Sequence, residues 1–312
     1  MEGKILIIGA GGQIGSELTF KLREIYGKDQ VVASDINYSN VTLVNSGTFE
    51  ILDAQDYQAI QICCEKHNIK TVYLMAAMLS ATGEKYPNKA WDLNTESLFH
   101  VLNLAKAKLI DKIFWPSSIA VFGPTTPKEN TPQYTIMEPT TVYGITKQVG
   151  ERWCEYYNQK YNVDVRSIRY PGIISWKTLP GGGTTDYAVE IYHEALKSNS
   201  YECFLSKNTN LPMLFMDDAI KATIDIMQAK PETIKIRSSY NLAGISFTPQ
   251  EIAESIKKQL LEFTITYKPD FRQAIANSWP GSINDSEARK DWNWKHSFDL
   301  DAITKEMLDN LK

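Results

Sequence analysis

Residues 4–15 read KILIIGAGGQIG: an apolar run closes on Gly9, Gly12 and Gly15 at three-residue spacing, and a segment with helical periodicity follows. Lys4 to Ile8 shows no polar alternation, which predicts a buried parallel strand. Glycines at its end let the backbone turn sharply and let a ligand approach without an intervening Cβ. Gln13, Ile14 and Gly15 open the next helix, whose leading N–H groups face an anion. The arrangement suits a pyrophosphate. A glycine triplet alone is weak, because tight turns use Gly freely. A second apolar stretch, VVASD at 31–35, strengthens it: its predicted strand ends in Asp35, twenty residues after Gly15. At that distance an acid takes both hydroxyls of a dinucleotide's ribose. Asp35 would repel a 2′-phosphate, and Ile36, Asn37 and Tyr38 supply no arginine to attract one, so NAD is expected over NADP. The plainer alternative is that Asp35 only caps a turn.

Working outward, strand-like and helix-like segments alternate through the first half of the chain. Ile14, Leu18, Leu22 and Ile25 recur at helical spacing; strand 31–34, a polar helix near 57–67, strand 71–75, helix 90–108, strand 112–116, a turn-rich loop 123–139, helix 142–160 and strand 164–169 follow. This rhythm predicts an α/β protein with a doubly wound parallel sheet, a Rossmann fold, and a smaller C-terminal substrate lobe. The expected division is 1–172 for the dinucleotide-binding domain with the catalytic residues and 173–312 for the lobe. Residues 211–244 are expected to return to the first domain, with RSSYNLAG at 237–244 rejoining the sheet. The run GGG at 181–183 marks a flexible loop and TPQ at 248–250 a helix start.

The bulk properties narrow the partners. A 312-residue chain that is 43% hydrophobic is long enough for a full core. A net charge of −4 gives no basic field for nucleic acid or an anionic membrane, and neither partner is expected. The apolar stretches fall short of the roughly 18 residues that a span needs, and no signal peptide is evident at the N-terminus, so a cytoplasmic location is expected. The four cysteines show no CxxC spacing and the four histidines are scattered. No metal site is expected, and the thiols read as reduced core residues.

The chemistry is carried by Tyr143 and Lys147, four apart on a predicted helix and so on one face. A nearby ammonium lowers a phenol's pKa from about 10 and makes it a usable general base. With 16 tyrosines in the chain the pair alone is a poor signal. Its context raises it: Ser117 and Ser118, in WPSSIAVFG, end a strand where loops gather around the ligand crevice of a parallel sheet. A serine there holds a substrate oxygen while the tyrosine takes its proton.

With these residues in view, the chain resembles the extended short-chain dehydrogenase/reductase superfamily, through G-x-x-G-x-x-G at 9–15, Asp35, SSIAVFG at 117–123, YGITK at 143–147 and YPG at 170–172. The resemblance covers nearly the whole chain. It implies that Ser118 and Tyr143 act on the substrate hydroxyl while Lys147 holds the nicotinamide ribose and tunes the tyrosine. It also implies that Leu52 and Asp53 lie against the adenine, Leu74 and Ala76 by the phosphate and ribose, and Tyr170, Pro171 and Gly172 beside the nicotinamide. Phe122 departs from the Tyr usual in the sugar-nucleotide epimerases of that superfamily.

Within it, LMAAMLSATGE, the segment from Trp115 to Lys147, RYPGIIS and PGGGTTDYA are similar to the short-chain threonine dehydrogenases. That narrower resemblance implies NAD-dependent oxidation of the β-hydroxyl of a small-molecule substrate, L-threonine. The product is 2-amino-3-oxobutyrate, which loses CO2 to give aminoacetone or passes to a ligase that makes glycine. It places Ser80, Ser117, Ser118, Tyr143, Thr184, Thr185, Asp186 and Trp279 around the substrate and implies a homodimer. From the residues alone, 181–185 also reads as an ordinary surface loop and Trp279 as a core aromatic. Two rivals stand beside it. A nucleotide-sugar epimerase or dehydratase would share the trio but needs basic groups for a diphosphate, and residues 173–230 hold no arginine. A non-enzymatic NAD-binding redox sensor would have no use for a tuned base.

Overall fold

Ile5, Leu6, Ile7 and Ile8 are each at most 1% exposed, and they fill the strand Lys4–Ile8 (β1). A strand covered on both faces has no water-facing side to make polar, hence the unbroken apolar run. The computed structural model describes residues 3–38, 40–179, 181 and 183–312. The chain divides into two units: Met1–Ser117 with Thr141–Arg169 and Ala222–Tyr240, and a smaller one of Ser118–Thr140, Tyr170–Lys221 and Asn241–Lys312.

In the first unit β1 leads into α1 (Gln13–Tyr26), β2 (Val31–Asp35), β3 (Phe49–Ile51), α2 (Tyr57–His67), β4 (Ile69–Leu74), α3 (Ser80–Lys85), α4 (Pro87–Lys106), β5 (Lys112–Phe114), α5 (Val142–Tyr161) and β6 (Asp164–Arg166). The sheet order is β3-β2-β1-β4-β5-β6, and every neighbouring pair is parallel. This is a Rossmann fold. The chain winds one way from β1 to β3 and the other way from β4 onward, so the β1/β4 boundary is the switch point beyond whose carboxyl ends such sheets bind ligands. Leu6, Ile8, Val32, Val72, Leu74 and Ile113 share one core with Leu98, Val101 and Leu102 of α4 and Cys154 of α5.

Two features of this unit depart from the sequence-based expectation. β3 carries no long apolar run and escaped it. Tyr240–Asn241 is a two-residue strand that does not rejoin the six-stranded sheet, whose edge is β6. The segment that groups with this unit is 222–240, inside the range of about 211–244 expected to return. Arg166 explains its attachment: fully buried, it donates to the carbonyls of Ile226 (2.6 Å) and Ala229 (2.7 Å), and Arg237 pairs with Asp164 at 2.6 Å.

The second unit is built on a sheet of β7 (Gly172–Ile174), β9 (Leu211–Phe215) and β10 (Ile245–Phe247), parallel between β7 and β9 and antiparallel between β9 and β10. A separate parallel pair joins β8 (Ser200–Cys203) to β11 (Thr264–Tyr267). Thr248 caps the helix that starts at Pro249 in a reciprocal capping box with Glu251, as TPQ predicts. Residues 118–140, expected in the first domain, group with this unit. Gly182, in the middle of the glycine run, lies outside the described residues.

Among the described residues no helix is long and apolar enough to cross a membrane, and no cluster of His, Cys, Asp or Glu is placed to hold a metal. All four cysteines are buried and unbridged. Burial pushes the thiols of Cys63 and Cys64 up to about 11 and about 12, away from reactivity.

Candidate active site

The chain leaves β1 through Gly9, at φ +85°, where a Cβ would lie 2.4 Å from the amide nitrogen of Ala76. Ala76 comes just after β4, and its N–H donates to the Ile8 carbonyl at 2.9 Å. The two strand ends at the switch point thus touch through backbone, which only glycine permits. A Cβ on Gly15 would lie 2.3 Å from the Gly9 carbonyl oxygen, so α1 packs directly on the turn. Gly12 precedes α1 with no side-chain cap, and the first turn, with Gln13, Ile14 and Gly15, carries no acid. Its leading N–H groups form the positive end of the helix dipole.

Asp35 ends β2 and bends back over this loop. One carboxylate oxygen accepts the Gly11 N–H at 2.8 Å and the other accepts that of Ile36 at 2.8 Å. Gly11, which motif spacing did not single out, is thereby the residue through which the acid and the glycine turn become one piece; a Cβ there would meet Asp35 at 2.8 Å. Leu52 is buried and donates its N–H to the Asp35 carbonyl at 2.9 Å. Asp53 is exposed and accepts the Gln55 N–H, and Leu74 is buried at the end of β4 opposite Ile8. Gly9, Asp35, Leu52, Asp53, Leu74 and Ala76 therefore occupy the carboxyl ends of four adjacent strands. A glycine-lined helix N-terminus next to a strand-end acid has the shape and charge that a dinucleotide needs.

α5 supplies the reactive face. Thr141 caps it through the Gly144 N–H (3.1 Å), and Glu84 of α3 accepts the Val142 N–H at 2.8 Å, next to Tyr143. That bond ties the short helix headed by Ser80 to the helix carrying the tyrosine. Lys147 is 2% exposed. Its ammonium donates to the Pro116 carbonyl at 2.6 Å, 4.6 Å from the centre of the Trp115 ring and 5.5 Å from that of Tyr143. Burial pushes it down to about 7, against the opposing pull of Cys154 and Glu151 on the same helix.

Three residues that sequence reasoning missed hold this face. Asn94 of α4 accepts the Met78 N–H (2.8 Å) and donates to the Met78 carbonyl and to Thr146, each at 3.1 Å. The signal was available: an amide interrupting the apolar stripe Ala90, Leu98, Val101. Trp115 lies against α5 at Gly150, where a Cβ would come within 2.4 Å of the indole. Glu151, fully buried, accepts the Ser117 hydroxyl at 2.6 Å and pairs with Arg169 through bonds of 2.8 Å and 2.7 Å. Ser117, expected at the substrate, is 1% exposed and spends its proton on Glu151.

Ser118 is the first residue of the second unit. Its hydroxyl accepts the Ala120 N–H at 3.2 Å, capping one turn; a hydroxyl that accepts there still has its proton to donate. Tyr170 and Pro171 are buried. Thr185 packs on Gly172, where a Cβ would lie 2.7 Å from its methyl. Thr184 is buried, and the Asp186 carboxylate turns onto its own loop, accepting the N–H groups of Gly181 (2.7 Å) and Gly183 (2.8 Å). Trp279 is 9% exposed after the helix Arg272–Ser278, and Lys128 fixes that end by donating to the Ser278 carbonyl at 2.6 Å.

Residues 5–243 match the NAD dependent epimerase/dehydratase family. The chain belongs to that family. Within the family it is 54% identical to a solved L-threonine dehydrogenase from Cupriavidus necator in its holo form, covering 99% of this chain and 100% of that one at a TM-score of 0.95. A monomeric L-threonine 3-dehydrogenase from a metagenome is 49% identical over 98% of each chain, with a TM-score of 0.93. An uncharacterized epimerase/dehydratase of Staphylococcus haemolyticus is 47% identical over 307 residues, 98% of this chain and 96% of that protein. The protein is an NAD-dependent enzyme of the extended short-chain dehydrogenase/reductase superfamily.

Proposed function

We propose that this enzyme oxidises the β-hydroxyl of L-threonine to 2-amino-3-oxobutyrate, with Tyr143 as the proton acceptor. The observation that carries the chemistry is the buried Lys147 ammonium, held by Pro116 within 5.5 Å of the Tyr143 ring centre. The substrate is supported by the full-length similarity to two threonine dehydrogenases.

NAD, when bound, supplies the nicotinamide carbon that accepts the hydride from threonine Cβ. The chain does the rest. The turn from Gly9 to Gly15 holds the pyrophosphate and Asp35 the adenosine ribose, which favours NAD over NADP. Leu52 and Asp53 would hold the adenine, Leu74 and Ala76 the phosphates and ribose, and Tyr170 and Pro171 the nicotinamide. Lys147 favours the phenolate of Tyr143, which removes the hydroxyl proton as the carbonyl forms, and Ser118 donates a hydrogen bond to the developing charge on oxygen. Ser80, Thr184, Thr185 and Trp279 are the side chains assigned to the amino acid in this proposal. Asp186 enters through the loop it ties together.

The test is NADH production with L-threonine, with UDP-galactose as the rival substrate. Turnover of the nucleotide sugar, or none of L-threonine, rejects the proposal and leaves the fold standing. Two copies per assembly belong to the same proposal, against the monomer described for the metagenomic relative; light scattering decides between them.

A further inference from the structure

Burying an ion pair from which water is excluded brings little net stability, because desolvation cancels most of the attraction. Glu151 is 0% and Arg169 3% exposed, so the pair needs a reason other than stability. Its neighbours supply one. Lys147 and Glu151 are one turn apart on α5, and they grip adjacent residues: the Lys147 ammonium donates to the Pro116 carbonyl at 2.6 Å, and Glu151 accepts the Ser117 hydroxyl at 2.6 Å. The next residue in the chain is Ser118. On its other side Glu151 takes Arg169 in a bidentate pair, and the residues after Arg169 are Tyr170 and Pro171. One carboxylate thus fastens two strands, Ser117–Ser118 through Ser117 and Ile168–Tyr170 through Arg169, to the helix that carries Tyr143.

We infer that Glu151 is a positioning residue for the oxidation: with Arg169 behind it, it holds the Ser117 hydroxyl and so fixes the Pro116–Ser117 backbone against the reactive face of α5. The inference rests on the reading that Tyr143 and Lys147 carry the reaction. A strand end free to drift would take the Lys147 acceptor and the Ser118 hydroxyl with it, and misplacement of about 1 Å costs up to about a hundredfold in rate. The groups facing the Lys147 ammonium are the Trp115 ring, the Pro116 carbonyl and the Tyr143 ring, with Glu151 and Cys154 from its own helix. Glu151 is the carboxylate among them.

Two variants test this on separate readouts. Ser117→Ala removes the tether and leaves the ion pair. It is expected to lower kcat for L-threonine about tenfold, with KM and NADH affinity by fluorescence close to wild type in a protein that still folds, and Ser117→Thr, which restores a hydroxyl, is expected to recover most of the loss. Glu151→Gln is read without substrate or cofactor, by NMR of lysine labelled with 13C at Cε: the Lys147 ammonium should titrate at lower pH than in wild type, because the anion one turn away is gone. Wild-type kcat in Ser117→Ala, or a Lys147 titration unmoved in a folded Glu151→Gln protein, overturns the inference. Should Glu151→Gln fail to fold, the serine variants decide. Should wild type not oxidise L-threonine, it is the functional reading that fails; a wild type that does, with Ser117→Ala at the same kcat, fails this inference alone.

Discussion

Lys147 and Pro116 are joined by a hydrogen bond of 2.6 Å, ammonium to carbonyl, with the lysine 2% exposed. A cation in that position is disfavoured by lost hydration, and its folded-state pKa of about 7 lies below the ordinary 10.5. Below pH 7 the lysine is charged in both states and the fold bears the full cost. Between pH 7 and 10.5 the unfolded chain keeps the proton and the folded protein sheds it, so stability rises with pH. Denaturant unfolding of the apoprotein and of Lys147→Met should therefore give curves whose difference changes in favour of wild type, by on the order of a few kcal/mol, between pH 7 and 10. Parallel curves would show that the ammonium is not desolvated.

Tyr143→Phe keeps the ring and removes the proton acceptor. Oxidation of L-threonine is expected to fall by roughly two to four orders of magnitude, while NADH still binds. The working form pairs phenolate with the Lys147 ammonium, whose proton the folded protein sheds above about pH 7. Wild-type kcat/KM should therefore rise with pH, pass through a maximum and fall, and the variant's residual rate should not follow the rise. Near-normal turnover would remove Tyr143 from the mechanism.

Much of this was legible in the chain. Strands buried on both faces announce themselves as β1 and β2 do, and Tyr143 with Lys147 fell on one face because the helical period is local. What escaped is long-range. Glu151 reads as one more charged residue on a polar helix until Arg169 and Ser117 arrive from distant strands, and Asn94 reads as a flaw in an apolar stripe until Met78 and Thr146 are found around it. β3 is short and half-exposed, so no pattern marks it. The stretch 237–244 does hold a strand, Tyr240–Asn241, but it lies in a separate three-stranded sheet with 168–170 and 117–118, and no local pattern says which sheet a strand joins. Residues 118–140 changed unit because a turn-rich loop carries no signal of what it packs against.

Gly12 and Gly15 separate ligand approach from packing. A Cβ on Gly12, whose φ is −72°, would meet only the Gly9 oxygen at an ordinary 3.5 Å, whereas one on Gly15 would be forced to 2.3 Å from it. Gly15→Ala should destabilise the fold by about 1–3 kcal/mol and Gly12→Ala hardly at all, yet both should weaken NADH binding. Urea midpoints and fluorescence titration read the two effects. Unchanged NADH affinity in Gly12→Ala would move the pyrophosphate away from this turn.

Asp35 holds the Gly11 amide at 2.8 Å and is assigned the ribose hydroxyls. Asp35→Ser should narrow the preference for NAD over NADP from both sides, by relieving repulsion of the 2′-phosphate and by loosening the glycine loop that NAD needs. Asp35→Asn retains an acceptor for Gly11 and should keep more NAD affinity than Asp35→Ser. A wild-type enzyme equally efficient with both cofactors would contradict the assignment.

Substrate size offers the last discrimination. L-Serine lacks the methyl of L-threonine, and an unfilled apolar pocket costs about 1–3 kcal/mol, or roughly 10- to 200-fold in kcat/KM. L-Serine should therefore turn over poorly with NAD. D-Threonine should fare worse for a different reason: it is inverted at both Cα and Cβ, so with carboxylate and ammonium anchored it cannot also present its hydroxyl to Tyr143 and its Cβ hydrogen to the acceptor, and the cost appears in kcat as misorientation as well as in KM. If Trp279, an apolar side chain among those assigned to the substrate, walls the pocket for that methyl, Trp279→Ala should raise KM for L-threonine and bring L-serine closer to it. Steady-state kinetics on the three amino acids with wild type and that variant check the whole set, and a Trp279→Ala enzyme with undiminished preference for threonine would place the methyl pocket elsewhere.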